Sequence, residues 1–281
     1  MPRRTNRTIL YTEHLRWMPL AVNGSRGNAW IKTLAKDDDT GARTALIRYE
    51  PGFTAAATTA VWPMDQYVLE GEMQCGDRAY EKDTFHYRPA GTGVDPIRTR
   101  AGVTRLVFTA DTKDPSQSSP EEVFIQNVRA DMPWDEPSQE VGGGHVQHTL
   151  GLPERFERQY KTLRRDPYAN IRIWVLTSRR TGTINAVGEM HSHPYIEETF
   201  QVEGMDSEYM AEVDGRTTWV PGTYVCRPAG ECLHGDSMKL TDSSYLIVRC
   251  FWTADPAKAS EWKEYQDRTT RHVPREVAFD E

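Results

Sequence analysis

The sequence predicts an all-β protein made of two copies of one antiparallel sandwich or barrel. Three observations lead there. Val, Ile, Tyr, Trp and Thr fall in short runs bounded by Gly, Pro and Asp turns, a pattern of short strands rather than long helices. Several sequence blocks recur in the same order in the two halves of the chain. The hydrophobic content of 38% is enough for a core, and 281 residues suffice for two domains of ordinary size.

The elements follow in order. In the first half, 44-TALIRYE-50, 66-QYVLEG-71 and 104-TRLVFTA-110 read as strands. In the second half, 171-IRIWVLTS-178, 198-ETFQVEG-204 and 245-YLIVRCFW-252 do the same. The repeat is clearest where 83-DTFHYRPAGTGVDP-96 aligns without gaps on 222-GTYVCRPAGECLHG-235. Upstream, 67-YVLEGEMQC-75 resembles 200-FQVEGMDSEY-209; downstream, 104-TRLVFTAD-111 resembles 245-YLIVRCFWTAD-255. These blocks predict an N-terminal domain over 1–125, a linker over 126–165 and a C-terminal domain over 166–281. The Pro-, Gly- and charge-rich linker carries one short predicted helix at 153-PERFERQYKTLRR-165.

Charge and composition narrow the function. A net charge of −7 and a pI near 5.7 argue against a nucleic-acid or anionic-membrane surface, since phosphate binding needs a basic face. The basic opening MPRRTNRTILYTEHLRWMPL is not followed by an apolar run of signal-peptide length, and nothing approaches the ~18 apolar residues of a bilayer span. Cys75, Cys226, Cys232 and Cys250 show no CxxC spacing, so free thiols in a reducing cytoplasm are expected.

The stretch 191-HSHPYIEETFQVEG-204 carries the chemistry. Residues i and i+2 of a strand share a face, so His191 and His193 can point into one interior. Glu197, four positions past His193, can return to the same spot, and the Pro-Ala-Gly turn of 228-PAGECLH-234 would bring His234 on a neighbouring strand. Three neutral imidazoles and one carboxylate suit a divalent first-row metal. Glu198 stays open as the carboxylate, because it shares a face with Phe200 and Val202.

The pattern HxHx3Ex6G at His191, His193, Glu197 and Gly204 resembles the first cupin motif. Gly222, Pro228, Gly230 and His234 resemble the second, with one extra residue between Gly230 and His234. The whole is most similar to the ChrR-like branch and covers both repeats. The resemblance implies a bicupin: two tandem cupin domains, each a double-stranded β-helix or jelly-roll barrel. In the first half Thr58, Ala60, Met64 and Asp95 stand near the ligand positions, so that copy is expected to be metal-free and to supply packing, a dimer surface or a pocket wall. One metal per chain follows, Fe(II) first, with Zn, Mn or Ni as alternatives. Four protein ligands close a tetrahedral zinc but leave two positions on a six-coordinate ion. The resemblance then implies a non-haem Fe(II) dioxygenase for a small carbonyl or phenolic substrate that chelates the metal. A redox-neutral isomerase, lyase or hydrolase is the alternative, and a non-catalytic sensor ranks below both. A homodimer is expected.

Other residues read more plainly. Tyr195, Gln201, Tyr209 and Trp174 are pocket candidates, and most of Trp174, Trp219, Tyr209 and Trp252 are expected in the core. His145 and His148, after three glycines, read as a loop; Cys232 reads as a small buried thiol. The clusters 162-TLRRD-166 and Arg179-Arg180 read as solvated faces.

Overall fold

Period-two alternation makes sheets of these segments. A computed structural model of the chain describes residues 8–37, 41–109, 118–133, 156–166, 171–180, 195–210, 215–228 and 234–252. They divide into two compact units. One holds the described parts of Thr12–Pro133 and Leu163–Ile171; the other holds those of Thr5–Tyr11, Trp134–Thr162 and Arg172–Glu281.

In the first unit a seven-stranded antiparallel sheet runs, in spatial order, Val123–Ile125, Phe85–Arg88, Met64–Gly71, Val103–Thr109, Arg43–Tyr49, Ala29–Lys36 and Met18–Pro19. Arg78–Tyr80, Met73–Cys75, Ile97–Arg98, Thr54–Ala55 and Ser25–Arg26 form the facing five-stranded sheet, and Thr58–Thr59 pairs with Gly93–Val94. The core lies between them: Tyr49, Val68 and Val103 from one sheet meet Phe53, Met73, Cys75 and Tyr80 from the other side. In the second unit the large sheet runs Thr8–Tyr11, Thr223–Arg227, Tyr195–Glu203, Ser243–Trp252, Ile171–Arg180 and Phe156–Asp166. The small sheet is Gly215–Trp219, Asp206–Met210 and His234–Lys239. Trp174, Tyr195, Trp219, Val225, Leu246, Val248 and Cys250 fill the space between them.

The repeat is visible in detail. Gly71 and Gly204 end equivalent strands with φ of 77° and 75°. A Cβ on either would run into a backbone carbonyl, of Gly102 in one case and Ser243 in the other. The same two strands bulge at equivalent residues, Leu69 opposite Thr104 and Arg105 and Val202 opposite Tyr245 and Leu246. Asp83 holds φ 70° where Gly222 holds 88°; its carboxylate accepts from Tyr67 Oη at 2.8 Å and forms an ion pair with the Arg129 guanidinium at 2.9 Å.

Two expectations need correction. The predicted helix at 153–165 is instead a strand, Phe156–Asp166, at the edge of the second unit's large sheet. Lys, Arg, Glu and Gln favour helix in isolation, but an adjacent strand to pair with overrides that weak preference. The one described helix in 126–165 is a single turn, Val128–Asp131, capped by Asn127 Oδ1, which accepts from Arg129 N and Ala130 N at 3.0 Å. Nor is 162-TLRRD-166 a solvated face. Arg165 is exposed, but Leu163, Arg164 and Asp166 are buried. Arg164 grips Asp65 through two bonds of 2.7 and 2.8 Å, donates to Asp166 at 2.7 Å and lies 3.8 Å over the Tyr87 ring. Fixed on both sides, its charge is satisfied inside the protein. The side chains of Arg179 and Arg180 lie outside the described residues.

Candidate metal centre

Strand register separates the two glutamates. Glu197 sits opposite Cys250 and Arg227, and Cys250 belongs to the core, as do Tyr195 and Val248 on the same face. Glu198 sits opposite Arg249 and Cys226 and turns to the other side of the sheet. There it accepts from Tyr224 Oη at 2.5 Å and Arg249 Nη1 at 3.0 Å, fully buried. Glu197 is therefore the interior carboxylate, and Glu198 is half of an ion pair on the opposite face.

Inside, Arg227 organises the charges. Its Nη1 donates to Glu197 and its Nη2 to Glu208, and its guanidinium lies 4.9 Å from the Trp219 ring centre. Thr199 Oγ1 adds a bond to Glu197 Oε1 at 3.2 Å. Two carboxylates and one guanidinium, all nearly without solvent, orient one another. His234 joins this interior from the small sheet. It is 2% exposed and stands opposite Met210, which shares a strand face with Glu208. The structure thus brings Glu197, Arg227, Glu208 and His234 to one interior. His191 and His193 lie outside the described residues, as do His145, His148 and Cys232. Among the described residues alone, no group of three potential ligands forms a metal site.

The pocket candidates divide. Tyr195 is buried on the Glu197 face, and burial followed by the neighbouring Cys250 thiol pushes its phenol well above the ordinary range. Cys250 is raised by burial and then by Glu197, so both groups keep their protons. Gln201 is fully buried; its Nε2 donates to Glu203 O at 2.9 Å and Gly204 O at 3.2 Å, and its Oε1 has no partner among the described residues. Trp174 is core, with Arg172 Cζ 5.3 Å from its ring centre. Tyr209 faces away from Glu208 on its strand and is only half-buried. Trp219 is buried, whereas the side chain of Trp252 is outside the description. Cys75 and Cys250 are buried free thiols.

The first unit holds Thr58, Ala60, Met64 and Asp95 near the corresponding positions. Its equivalent arginine, Arg88, stands opposite Met64 as Arg227 stands opposite Glu197. Sequence reasoning missed both arginines, although the repeated Arg-Pro-Ala-Gly had marked them; Glu208 has no comparable signal.

Residues 5–113 match the family model of the ChrR Cupin-like domain. Solved structures share the fold over most of the chain. A candidate dioxygenase from Nostoc punctiforme is 16% identical with a TM-score of 0.70, covering 97% of this chain and 88% of its own. The Ylba protein of E. coli is 11% identical with a TM-score of 0.61 over 89% and 93%. A cupin 2 conserved barrel domain protein from Leptotrichia buccalis is 10% identical with a TM-score of 0.53 over 87% and 96%. At these identities the likeness is one of fold. No curated protein matches the chain in sequence.

Proposed function

We propose, from the ChrR Cupin-like domain matched over residues 5–113 and the fold shared over most of the chain, that the second barrel is a single-metal enzyme centre. In this reading His191, His193, Glu197 and His234 hold one divalent cation, Fe(II) by preference. The reaction is dioxygen-dependent oxidation of a small carbonyl or phenolic compound that chelates the metal. The observation that carries the proposal is Glu197: an ionisable carboxylate on the core face of an apolar, aromatic-lined interior, with a buried imidazole on the facing sheet. Such a donor set fits a hard-to-borderline divalent ion.

A bound metal would supply Lewis acidity and a site for dioxygen. The chain's own residues do the rest. Arg227 keeps Glu197 charged and aimed, and offsets the second negative charge of Glu208. Tyr195 and Cys250, both protonated, keep the wall beside Glu197 neutral. Gln201 Oε1 is an acceptor for a substrate hydroxyl. A reducing, cytoplasmic setting belongs to the same reading.

Metal analysis of protein purified without added metals, then anaerobic Fe(II) loading and oxygen-uptake assays across a carbonyl and phenol panel, tests the reading. One metal per chain, lost in Glu197→Gln and His234→Ala but kept in Glu198→Gln, is expected. Oxygen-independent turnover would move the centre to the redox-neutral class. Absence of any bound first-row metal under all loading conditions would remove the proposal.

A further inference from the structure

The internal repeat supplies a control for each buried charge. Arg227 of the second barrel is neutralised by Glu197 opposite it and Glu208 on the small sheet. In the first barrel Met64 replaces the first of these partners. Cys75 replaces the second: it stands opposite Arg78 as Glu208 stands opposite Thr217, two residues before Tyr80 and Trp219 respectively. Arg88 Nη2 accordingly reaches Cys75 Sγ at 3.7 Å and Tyr80 Oη at 3.4 Å. Arg88 is 6% exposed and its Nε has no hydrogen-bond partner among the described residues. Among the described residues no carboxylate contacts its guanidinium.

A second cation shares this interior. Arg105, 3% exposed, donates from Nη1 to Gln66 Oε1 at 2.5 Å and lies 4.6 Å from the Tyr49 ring centre. Among the described residues its Nε is also without a partner, and no carboxylate contacts it. The bonds between the two arginines have a fixed direction. Arg105 holds the oxygen of the Gln66 amide, so Gln66 Nε2 donates to His86 Nδ1 at 3.2 Å. Tyr80 Oη, 2.6 Å from the same nitrogen, donates to it as well. The His86 proton is then on Nε2, directed at Glu122 Oε1 at 2.6 Å. Glu122, the one described acid touching this network, is already engaged by His86 and Arg78. Buried cations without counter-charges are unfavourable, and the second barrel shows what the position accepts: carboxylate oxygens.

We infer that the interior of the first barrel binds a small organic carboxylate, anchored by Arg88 with Arg105 as the second positive charge. The ligand's carboxylate takes the part that Glu197 and Glu208 play for Arg227. Tyr49, Phe53, Val68 and Tyr80 form the apolar packing beside the two arginines, which favours an organic group over an inorganic oxyanion. The inference is independent of the metal centre, since every residue in it belongs to the first unit.

Thermal unfolding and titration calorimetry of the full chain with acetate and benzoate test it, with benzamide and phosphate as controls. Benzoate raises the apparent melting temperature by about 5 °C at roughly 100-fold excess over its dissociation constant, and benzamide does not. Arg88→Met abolishes that shift. Met64→Glu, which restores an internal carboxylate, blocks benzoate while the chain stays folded. No response to either carboxylate, a benzamide response equal to that of benzoate, a response to phosphate alone, or undiminished benzoate binding in both variants overturns the assignment.

Discussion

Arg88 and Arg227 hold equivalent positions in opposite surroundings, and one substitution separates them. Arg227→Met strands Glu197 and Glu208 without their shared cation, and is expected to cost about 3–5 kcal/mol. Arg88→Met removes a charge that no described carboxylate balances, so its cost stays within about 1 kcal/mol. Urea midpoints of the two variants check the contrast; equal losses would contradict it. His86 gives a pH signature. Burial first, then the Arg88 charge, hold its pKa down at about 4 against the bond to Glu122, from an ordinary value of 6.5. The unfolded chain therefore takes up this proton first. The stability it contributes is complete above pH 6.5 and is lost as pH falls toward 4, on the order of 3 kcal/mol in all. His86→Asn should flatten the stability profile across that window, and an unchanged slope would place the acid sensitivity elsewhere.

Among elements, the strands were legible because alternation and turn residues agree in both repeats, as in 66-QYVLEG-71 and 198-ETFQVEG-204. The segment 153–165 was not, because its local preference for helix and its pairing with Ile171–Arg180 point in opposite directions, and only the second involves other parts of the chain. The site was legible in the same proportion. Spacing picked out Glu197 and His234, while the Glu197–Arg227–Glu208 bridge depends on which strands face each other. The glycine at the end of each repeated run is a conformational requirement. Gly204→Ala places a Cβ against the Ser243 carbonyl at φ 75°, and should cost about 2–4 kcal/mol from strain and overpacking together. Gly41→Ala, with positive φ but nothing within 4 Å, should cost about half of that or less. Chemical denaturation of both checks the ranking.

At the scale of the whole molecule, chain order and unit membership do not coincide. Thr8–Tyr11 pairs along its full length with Thr223–Arg227, from Thr8 against Cys226 to Tyr11 against Thr223, and Tyr11 Oη donates to Thr218 O at 2.9 Å. The outer rim of the strand that ends in Arg227 is thus closed by residues more than two hundred positions away in sequence. Deleting residues 1–11 would bare that rim's backbone amides and carbonyls, a template for adhesion between molecules. Light scattering of the shortened chain should reveal soluble aggregates or precipitation at concentrations where the intact chain remains dispersed. Any change made to Thr8–Tyr11 is for the same reason a change to the second barrel.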